Sequence, residues 1–118
     1  NLKRRRRLRL ADKAPWRQEI ELLQNYQKHA TFTHTTTGST VEDALTLAGK
    51  MEEGNKVSFV VETGGAYIAF DEDATTSTGM LVPADEGYFD DNIYISTRIS
   101  IIRSSGTNAR IRGIIWGR

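Results

Sequence analysis

From residue 31 onward the chain is a series of short apolar runs separated by turn signals, and this pattern restricts the fold more than any other feature. In the run KVSFVVET, Val57, Phe59 and Val61 share one face, while polar Ser58 lies on the other. Such alternation is typical of a strand with one buried side. Turns recur at about every 8 to 12 residues, and no helix-length gap separates the runs. The pattern predicts a mainly β fold, an antiparallel β-sandwich or small barrel of seven to eight short strands.

The apolar runs also predict individual strands and their core residues. The predicted strands are TFTHTTTGST, KVSFVVET, AYIAF, MLVP, YFDDNIYIS, RISIIRSSG and ARIRGIIWG. Residues 41–53 suit either a helix or a strand with a turn, and their β surroundings favour the strand. Gly64 and Gly65 predict a two-residue hairpin turn, because both positions tolerate positive φ. The residues expected to supply much of the core are Phe59, Val61, Ile68, Phe70, Leu81, Ile99, Ile101 and Ile115.

The chain is predicted to have three parts: a basic extended arm at residues 1–13, an amphipathic helix at 14–30 and the β-sandwich domain at 31–118. Pro15 suits the first turn of a helix, because its missing N–H would be unpaired there anyway. Three apolar side chains then share one helical stripe: Trp16, Ile20 and Leu23. This stripe is narrow, so the helix needs a partner, either the domain itself or a neighbouring chain.

Charge is distributed unevenly along the chain, although the formal net charge is only +1. Residues 1–30 carry nine Lys/Arg and three Asp/Glu, a net charge of +6. Residues 31–97 carry two Lys/Arg and twelve Asp/Glu, a net charge of −10. Residues 98–118 carry five Lys/Arg and no Asp/Glu, a net charge of +5. The first block contains KRRRRLRL, in which six of the eight side chains are permanently cationic. Basic ends around an acidic middle suit docking between subunits at least as well as nucleic-acid binding.

The sequence predicts neither catalysis nor cofactor binding. Cysteine is absent, which excludes disulfides and thiolate chemistry, and no G-x-S-x-G, H-E-x-x-H or Walker-type motif occurs. His29 and His34 do not have the spacing of metal ligands. DEDATTST begins like a calcium loop, but Thr75, Thr76 and Val82 stand where an EF-hand needs a ligand, a glycine and a glutamate. We therefore expect a protein that is not an enzyme and holds no metal.

Membrane association is also not expected. No apolar stretch approaches the ~20 residues that span a bilayer. The basic run is not followed by an apolar region, which argues against a signal peptide.

The basic arm has three interpretations: a nucleic-acid binder, a docking arm for another protein, or a solubilising tail. As a nucleic-acid binder, it would contact phosphates without reading sequence. As a docking arm, it would lie in an acidic groove with Leu8 and Leu10 in apolar pockets. Docking is favoured, because the arm has no aromatic residue for base stacking and an adjacent copy offers an acidic block. The residues predicted to bind partners are Arg4, Arg5, Arg6, Arg7, Leu8, Arg9 and Leu10 in the arm and Trp16, Ile20 and Leu23 in the helix.

Two segments carry a further pattern of turns and apolar alternation: VSFVVETGGAYIAFDEDATTSTGMLVPADEGYF and IYISTRISIIRSSGTNARIRG. Over about half of the chain, this pattern resembles small β-sandwich structural proteins of tailed bacteriophages. The resemblance implies a non-enzymatic virion component, foremost a capsid decoration (cement) protein that ties neighbouring subunits together. A head-to-tail adaptor or a neck or tail component is the alternative. We expect a homo-oligomer whose partners are the major capsid protein or neighbouring copies, with nucleic acid as the second choice.

Overall fold

The computed structural model describes residues 28–118, which form eight β-strands and contain no helix. The strands are β1 (Lys28–Thr35), β2 (Glu42–Thr46), β3 (Gly54–Thr63), β4 (Ala66–Phe70), β5 (Met80–Val82), β6 (Glu86–Asp90), β7 (Arg98–Arg103) and β8 (Arg110–Gly117). The predicted arm at residues 1–13 and residues 14–27 of the predicted helix lie outside the described residues. Residues 28–30, which the sequence pattern assigns to the end of that helix, belong to β1, because the threonine-rich run after them extends one strand.

The strands form two four-stranded sheets in which every pairing is antiparallel. Sheet A has the order β1-β8-β3-β6, and sheet B has the order β2-β7-β4-β5. The inward-facing side chains of the two sheets meet in one apolar core. The predicted antiparallel β-sandwich is therefore confirmed, and so is the interpretation of residues 41–53 as containing a strand, which is β2.

Alternate residues of the central strands make up the core. Val57 and Val61 of β3 and Ile111 and Ile115 of β8 are fully buried, as the period of two along a strand requires. Six of the eight predicted core residues are buried: Phe59, Val61, Ile68, Ile99, Ile101 and Ile115. Phe70 is partly buried and packs against this cluster. The alternation of apolar residues thus identified most of the core.

Leu81 does not belong to the core, and its prediction is wrong. It is 52% exposed, whereas the next residue, Val82, is 4% exposed. Leu81 lies opposite Tyr67 of β4, and directly opposed residues in an antiparallel pair share one face of the sheet. Both side chains therefore lie on the outer face of sheet B.

The turn at Gly64 and Gly65 joins two sheets rather than two paired strands. Both glycines have positive φ, 78° and 66°, as predicted. The predicted hairpin is nevertheless wrong, because β3 pairs with β6 and β8 in sheet A, while β4 pairs with β5 and β7 in sheet B. A Cβ atom on Gly64 would lie 2.7 Å from the carbonyl oxygen of Asn108, so the neighbouring β7–β8 turn also requires a glycine here.

The predicted strand YFDDNIYIS ends early, at Asp90. The Oδ1 atom of Asp90 accepts a hydrogen bond of 2.9 Å from the backbone N–H of Asn92, and this local bond turns the chain away from the ladder. Beyond it, Ile95 forms an isolated bridge with Gly54 and is fully buried. The second half of the predicted strand is therefore a loop that closes one end of the core.

Candidate interaction surface

The ten residues predicted to bind partners lie between residues 4 and 23, outside the part of the chain that the structure describes. The structure does define where that segment joins the domain. β1 begins at Lys28, which is paired with Gly117, and the next residue, His29, is opposite Trp116. Along the sequence, the predicted arm and helix therefore lead into the end of β1 that lies beside Trp116.

The outer face of sheet A carries a strip of large side chains, which we call the sheet A face: Lys56, Val60, Phe89, Ile114 and Trp116. They alternate along β3, β6 and β8 with residues that face the core, so they point outward. Trp116 is opposite Lys56 in the neighbouring strand. Phe89 is 58% exposed, and the other four side chains are half-buried. The strip crosses three adjacent strands.

Lys56 lies between the two aromatic rings of this face. Its Nζ atom is 4.7 Å from the ring centroid of Trp116 and 5.6 Å from that of Phe89. A cation at this distance is attracted to the electron-rich face of a ring. The aliphatic stem of a lysine also covers apolar surface while its charge stays near water. The sheet A face is therefore largely apolar, with the small Ser58 among its large side chains, and carries a positive charge held between its two rings.

The sheet A face is not among the sites predicted above, although the sequence contains a signal for it. In β8, Ile114, Ile115 and Trp116 follow one another, so both faces of the strand are apolar at this point. A strand with one solvated side would carry polar residues at 114 and 116. The interruption of the polar–apolar alternation at residues 114–116 therefore indicates the apolar outer surface.

Arginines of β7 and β8, together with Arg118 directly after β8, partly neutralise the acidic block within the same chain. The ion pairs are Arg98–Asp43 (3.1 Å), Arg98–Asp73 (2.9 Å), Arg110–Glu62 (3.3 Å), Arg112–Glu62 (3.2 Å) and Arg118–Glu53 (2.7 Å). Residues 28–118 still carry eight Lys/Arg against twelve Asp/Glu, a net charge of −4, whereas residues 1–27 carry eight against three, a net charge of +5. The domain and the segment before it therefore have opposite net charges.

The acidic loop between β4 and β5 packs against the outer face of sheet B. The buried hydroxyl of Ser100 donates a hydrogen bond of 2.6 Å to the carbonyl oxygen of Glu72 and accepts one of 2.8 Å from the N–H of Ala74. Ala74 is 1% exposed. The loop backbone thus covers the sheet. Among residues 28–118, no group of three or more His, Asp or Glu side chains could hold a metal ion.

Asp71, at the start of this loop, binds the loop between β6 and β7. Its φ is 62°, and its carboxylate accepts hydrogen bonds from the backbone N–H groups of Ser96 (2.8 Å), Thr97 (2.7 Å) and Arg98 (3.2 Å). Partial desolvation of this surface carboxylate would by itself raise the pKa of Asp71. The three N–H donors and the Thr97 hydroxyl outweigh that desolvation and lower the pKa to about 2. Asp71 therefore has a structural role in the charged form.

We expect the free energy of unfolding to fall as the pH is lowered from about 4 to about 2, because Asp71 then takes up a proton. The pKa of Asp71 is about 2 in the folded chain against an ordinary value of 3.8. Its contribution is therefore present above pH 3.8 and is lost as the pH falls through the folded pKa. Since this side chain is exposed, solvent screening reduces the contribution to about 1–2 kcal/mol. In urea denaturation, Asp71→Asn should lose this amount near neutral pH and show a smaller acid dependence.

Asp85→Asn provides the matched control for this prediction. Asp85 also has a positive φ, 66°, and asparagine tolerates that conformation as well as aspartate does. No side-chain hydrogen bond of Asp85 is found within residues 28–118, so its replacement should leave the acid dependence unchanged. An equal loss of unfolding free energy in the two variants would show that the charge of Asp71 does not cause the acid dependence.

The two histidines of the chain lie apart in β1. His34 is paired with Glu42 of β2, with 2.9 Å between its Nε2 atom and Oε1 of the carboxylate, and this contact joins the two sheets at one edge. The N–H of Thr37 also donates to Glu42, and this bond, with the nearby His34, lowers the pKa of Glu42 despite partial burial. His29 is exposed beside Trp116.

Comparison with known proteins does not assign this chain to a family. No protein-family model matches it, and no curated protein matches it. Among solved structures, the chain is similar to the crystal structure of TT1209 from Thermus thermophilus. The TM-score is 0.45 at 12% sequence identity, and the match covers 78% of this chain and 86% of that chain. The described residues include no helix long and apolar enough to cross a membrane.

Proposed function

We propose that this chain is a non-enzymatic structural protein of a tailed-phage virion, and that it acts as a capsid decoration protein tying neighbouring subunits together. The observation that carries the proposal is the sheet A face, where two aromatic rings, two aliphatic side chains and a lysine lie together on a rigid sandwich. Exposed patches rich in aromatic residues are typical of protein interaction sites. The virion setting rests on the resemblance of residues 57–116 to phage structural sandwiches.

The arrangement of the sheet A face suits a protein partner better than a small ligand. Neighbouring strands lie about 4.8 Å apart, so a strip over three strands extends roughly 10 Å across the sheet. Phe89, with 58% of its surface exposed, has the most area to bury against a partner. Bound protein would also desolvate Lys56 and strengthen its interaction with the rings. The proposed partners are the major capsid protein and neighbouring copies of this chain.

The arm at residues 1–13 supplies the second attachment. Its charge is opposite to the net charge of −4 that residues 28–118 carry, with eight Lys/Arg and twelve Asp/Glu, so it can bind the domain of an adjacent copy. One exposed ion pair contributes only about 0–1 kcal/mol, so several must act together. Leu8 and Leu10 then add apolar anchors that fix the register of the arm. A head-to-tail adaptor or a neck or tail component is the alternative within the virion, and imaging of labelled particles separates these positions.

Deletion of residues 1–10 tests the role of the arm. We expect the truncated protein to keep the thermal unfolding midpoint of the full chain, because the described sandwich begins only at Lys28. We also expect it to be lost from phage particles, since the cations and both leucines of the attachment are removed. The measurement is the amount of tagged protein that sediments with particles in a density gradient. Normal incorporation of the truncated protein would show that the arm does not attach it.

A nucleic-acid-binding module is the second candidate function, and the arginine run favours it. The double replacement of Leu8 and Leu10 by alanine separates the two, because it keeps all six cations of KRRRRLRL. A docking arm loses its apolar anchors in this variant, so particle association should fall sharply. A phosphate-binding arm would be unaffected. In that case the isolated protein should also retard double-stranded DNA in a mobility-shift assay. Its affinity for DNA should fall with salt as expected for about five or more phosphate contacts.

A further inference from the structure

The four edge strands of the sandwich differ in how well they are protected against pairing with another chain. β5 has only three residues, β2 has a register shift between Asp43 and Leu45, and β6 carries Glu86 and Asp90 at its ends. Short strands, irregular pairing and charges are the usual devices that protect an edge. β1 has eight residues, an unbroken register with β8 and no charge after Lys28 other than its two histidines. Its edge is the least protected.

The structure also shows which backbone groups of β1 point to this edge. The N–H of Thr36 donates a hydrogen bond of 2.9 Å to the carbonyl oxygen of Ala109, and this pair continues the β1–β8 register. Along an antiparallel ladder, residues alternate between bonding to the neighbouring strand and pointing away from it. The even-numbered residues of β1 therefore bond to β8. The residues whose N–H and C=O groups point away are His29, Thr31, Thr33 and Thr35. Within the described residues, β1 is the last strand of sheet A on this side.

We propose that this edge pairs with β1 of a second copy of the chain, in an antiparallel register centred on Phe32. In this register, Thr31 is opposite Thr33 of the second copy, and His29 is opposite Thr35. Cross-strand threonine pairs are favourable in antiparallel sheets. Lys28 faces no like charge, because its partner position is Thr36. The edge is thus complementary to itself, as a two-fold interface requires.

A second copy fits this edge better than residues 1–27 of the same chain. Ile20 is the only β-branched residue among those 27, and KRRRRLRL would place cations along successive positions of an added strand. The paired strands also join two copies of sheet A into one sheet, with both sheet A faces on the same side. Two faces on one rigid body can bind two neighbouring subunits at once, which raises the effective affinity. The inference concerns free protein in solution and does not depend on the virion proposal.

Analytical ultracentrifugation of the full chain, combined with amide hydrogen exchange, tests the pairing. We expect a monomer–dimer equilibrium in which the amides of Thr31 and Thr33 become protected as the protein concentration rises to about 100 μM. The amide of Phe32, which bonds to β8, should be protected at every concentration. Thr33→Pro removes one edge N–H from each copy and no bond of the β1–β8 ladder. Its dimer dissociation constant should therefore rise by about tenfold or more.

Thr33→Ala is the matched control, because it shortens the same side chain but keeps the N–H group. It loses the cross-strand threonine pairs, as Thr33→Pro does, but no hydrogen bond, so it should dimerise clearly better than Thr33→Pro. Three results would overturn the proposal. They are a full chain that stays monomeric at about 100 μM, edge amides that are protected in the monomer, and equal weakening by alanine and proline. The second result would assign the edge to residues 1–27 of the same chain. If Thr33→Pro fails to fold, the exchange measurements on the parent chain still decide.

Discussion

Replacing Ile101 with alanine should lower the free energy of unfolding by about 2–5 kcal/mol. Ile101 is fully buried in β7, where it lies opposite Ile68 of β4 in the middle of sheet B. The loss combines the transfer of the removed methyl and methylene groups to water with the cost of the cavity that remains. The cavity should persist, because sheet A closes the core on the other side. Urea denaturation with a linear fit measures the difference.

Leu81→Ala is the matched control for this experiment, since the sequence pattern predicted both residues to be in the core. Leu81 is 52% exposed on the outer face of sheet B, so its truncation should change stability by no more than about 0.5 kcal/mol. A loss close to that of Ile101→Ala would place Leu81 in the core and would contradict the register of β5. The comparison tests the orientation of a strand too short to show its own alternation.

The residues that face the core could be predicted wherever a strand alternates over several positions. Val57, Phe59 and Val61 in β3 and Ile99 and Ile101 in β7 are buried as the period of two predicts. In β5, three apolar residues follow one another, so the sequence could not distinguish the exposed Leu81 from the buried Val82. Alternation is a local property of the chain, and it fails where a strand is too short to display it.

Strand pairing could not be predicted from the same signals. Gly64 and Gly65 do form a tight turn with positive φ, but such a turn serves equally for a hairpin and for a crossing between sheets. The choice depends on the other strands, since β3 is already flanked by β8 and β6, and β4 by β7 and β5. Of these partners, only β5 is the next strand along the chain, whereas β6, β7 and β8 lie far away in sequence. The topology depends on packing between distant strands, so it cannot be predicted from a local sequence pattern.

The candidate sites likewise include some that the local sequence predicts and one that depends on how the strands pair. The arm and helix residues from Arg4 to Leu23 stay predictions, because they lie outside the described residues. The sheet A face depends on register: Lys56 lies near Trp116 only because β3 and β8 are neighbours with these residues opposite each other. The acidic block, with a net charge of −10 from two Lys/Arg and twelve Asp/Glu in residues 31–97, is likewise neutralised in part by arginines that β7 and β8 bring back across the fold.

Gly113→Ala should destabilise the protein by about 3 kcal/mol, through overpacking rather than through a cavity. Gly113 lies in β8 between two phenylalanines, opposite Phe32 of β1 on one side and Phe59 of β3 on the other. A Cβ atom here would meet the carbonyl oxygen of Ser58 and would lie 2.5 Å from Cβ and 2.8 Å from Cα of Phe59. These are backbone and near-backbone atoms of a central strand, so no rotamer change can relieve the contact. Thermal unfolding followed by circular dichroism measures the loss.

The control is Gly106→Ala, in the turn between β7 and β8. A Cβ atom on Gly106 would meet nothing within 4 Å, so this change should leave the unfolding midpoint nearly unaltered. The two positions differ in the space available for a Cβ atom and not in backbone conformation, because neither glycine has a positive φ. A small glycine between two large rings also explains how β1, β8 and β3 stay in regular register around Gly113 while both phenylalanines fill the same layer of the core. If Gly113→Ala were as harmless as Gly106→Ala, β3 and β8 would have to be further apart than this packing allows.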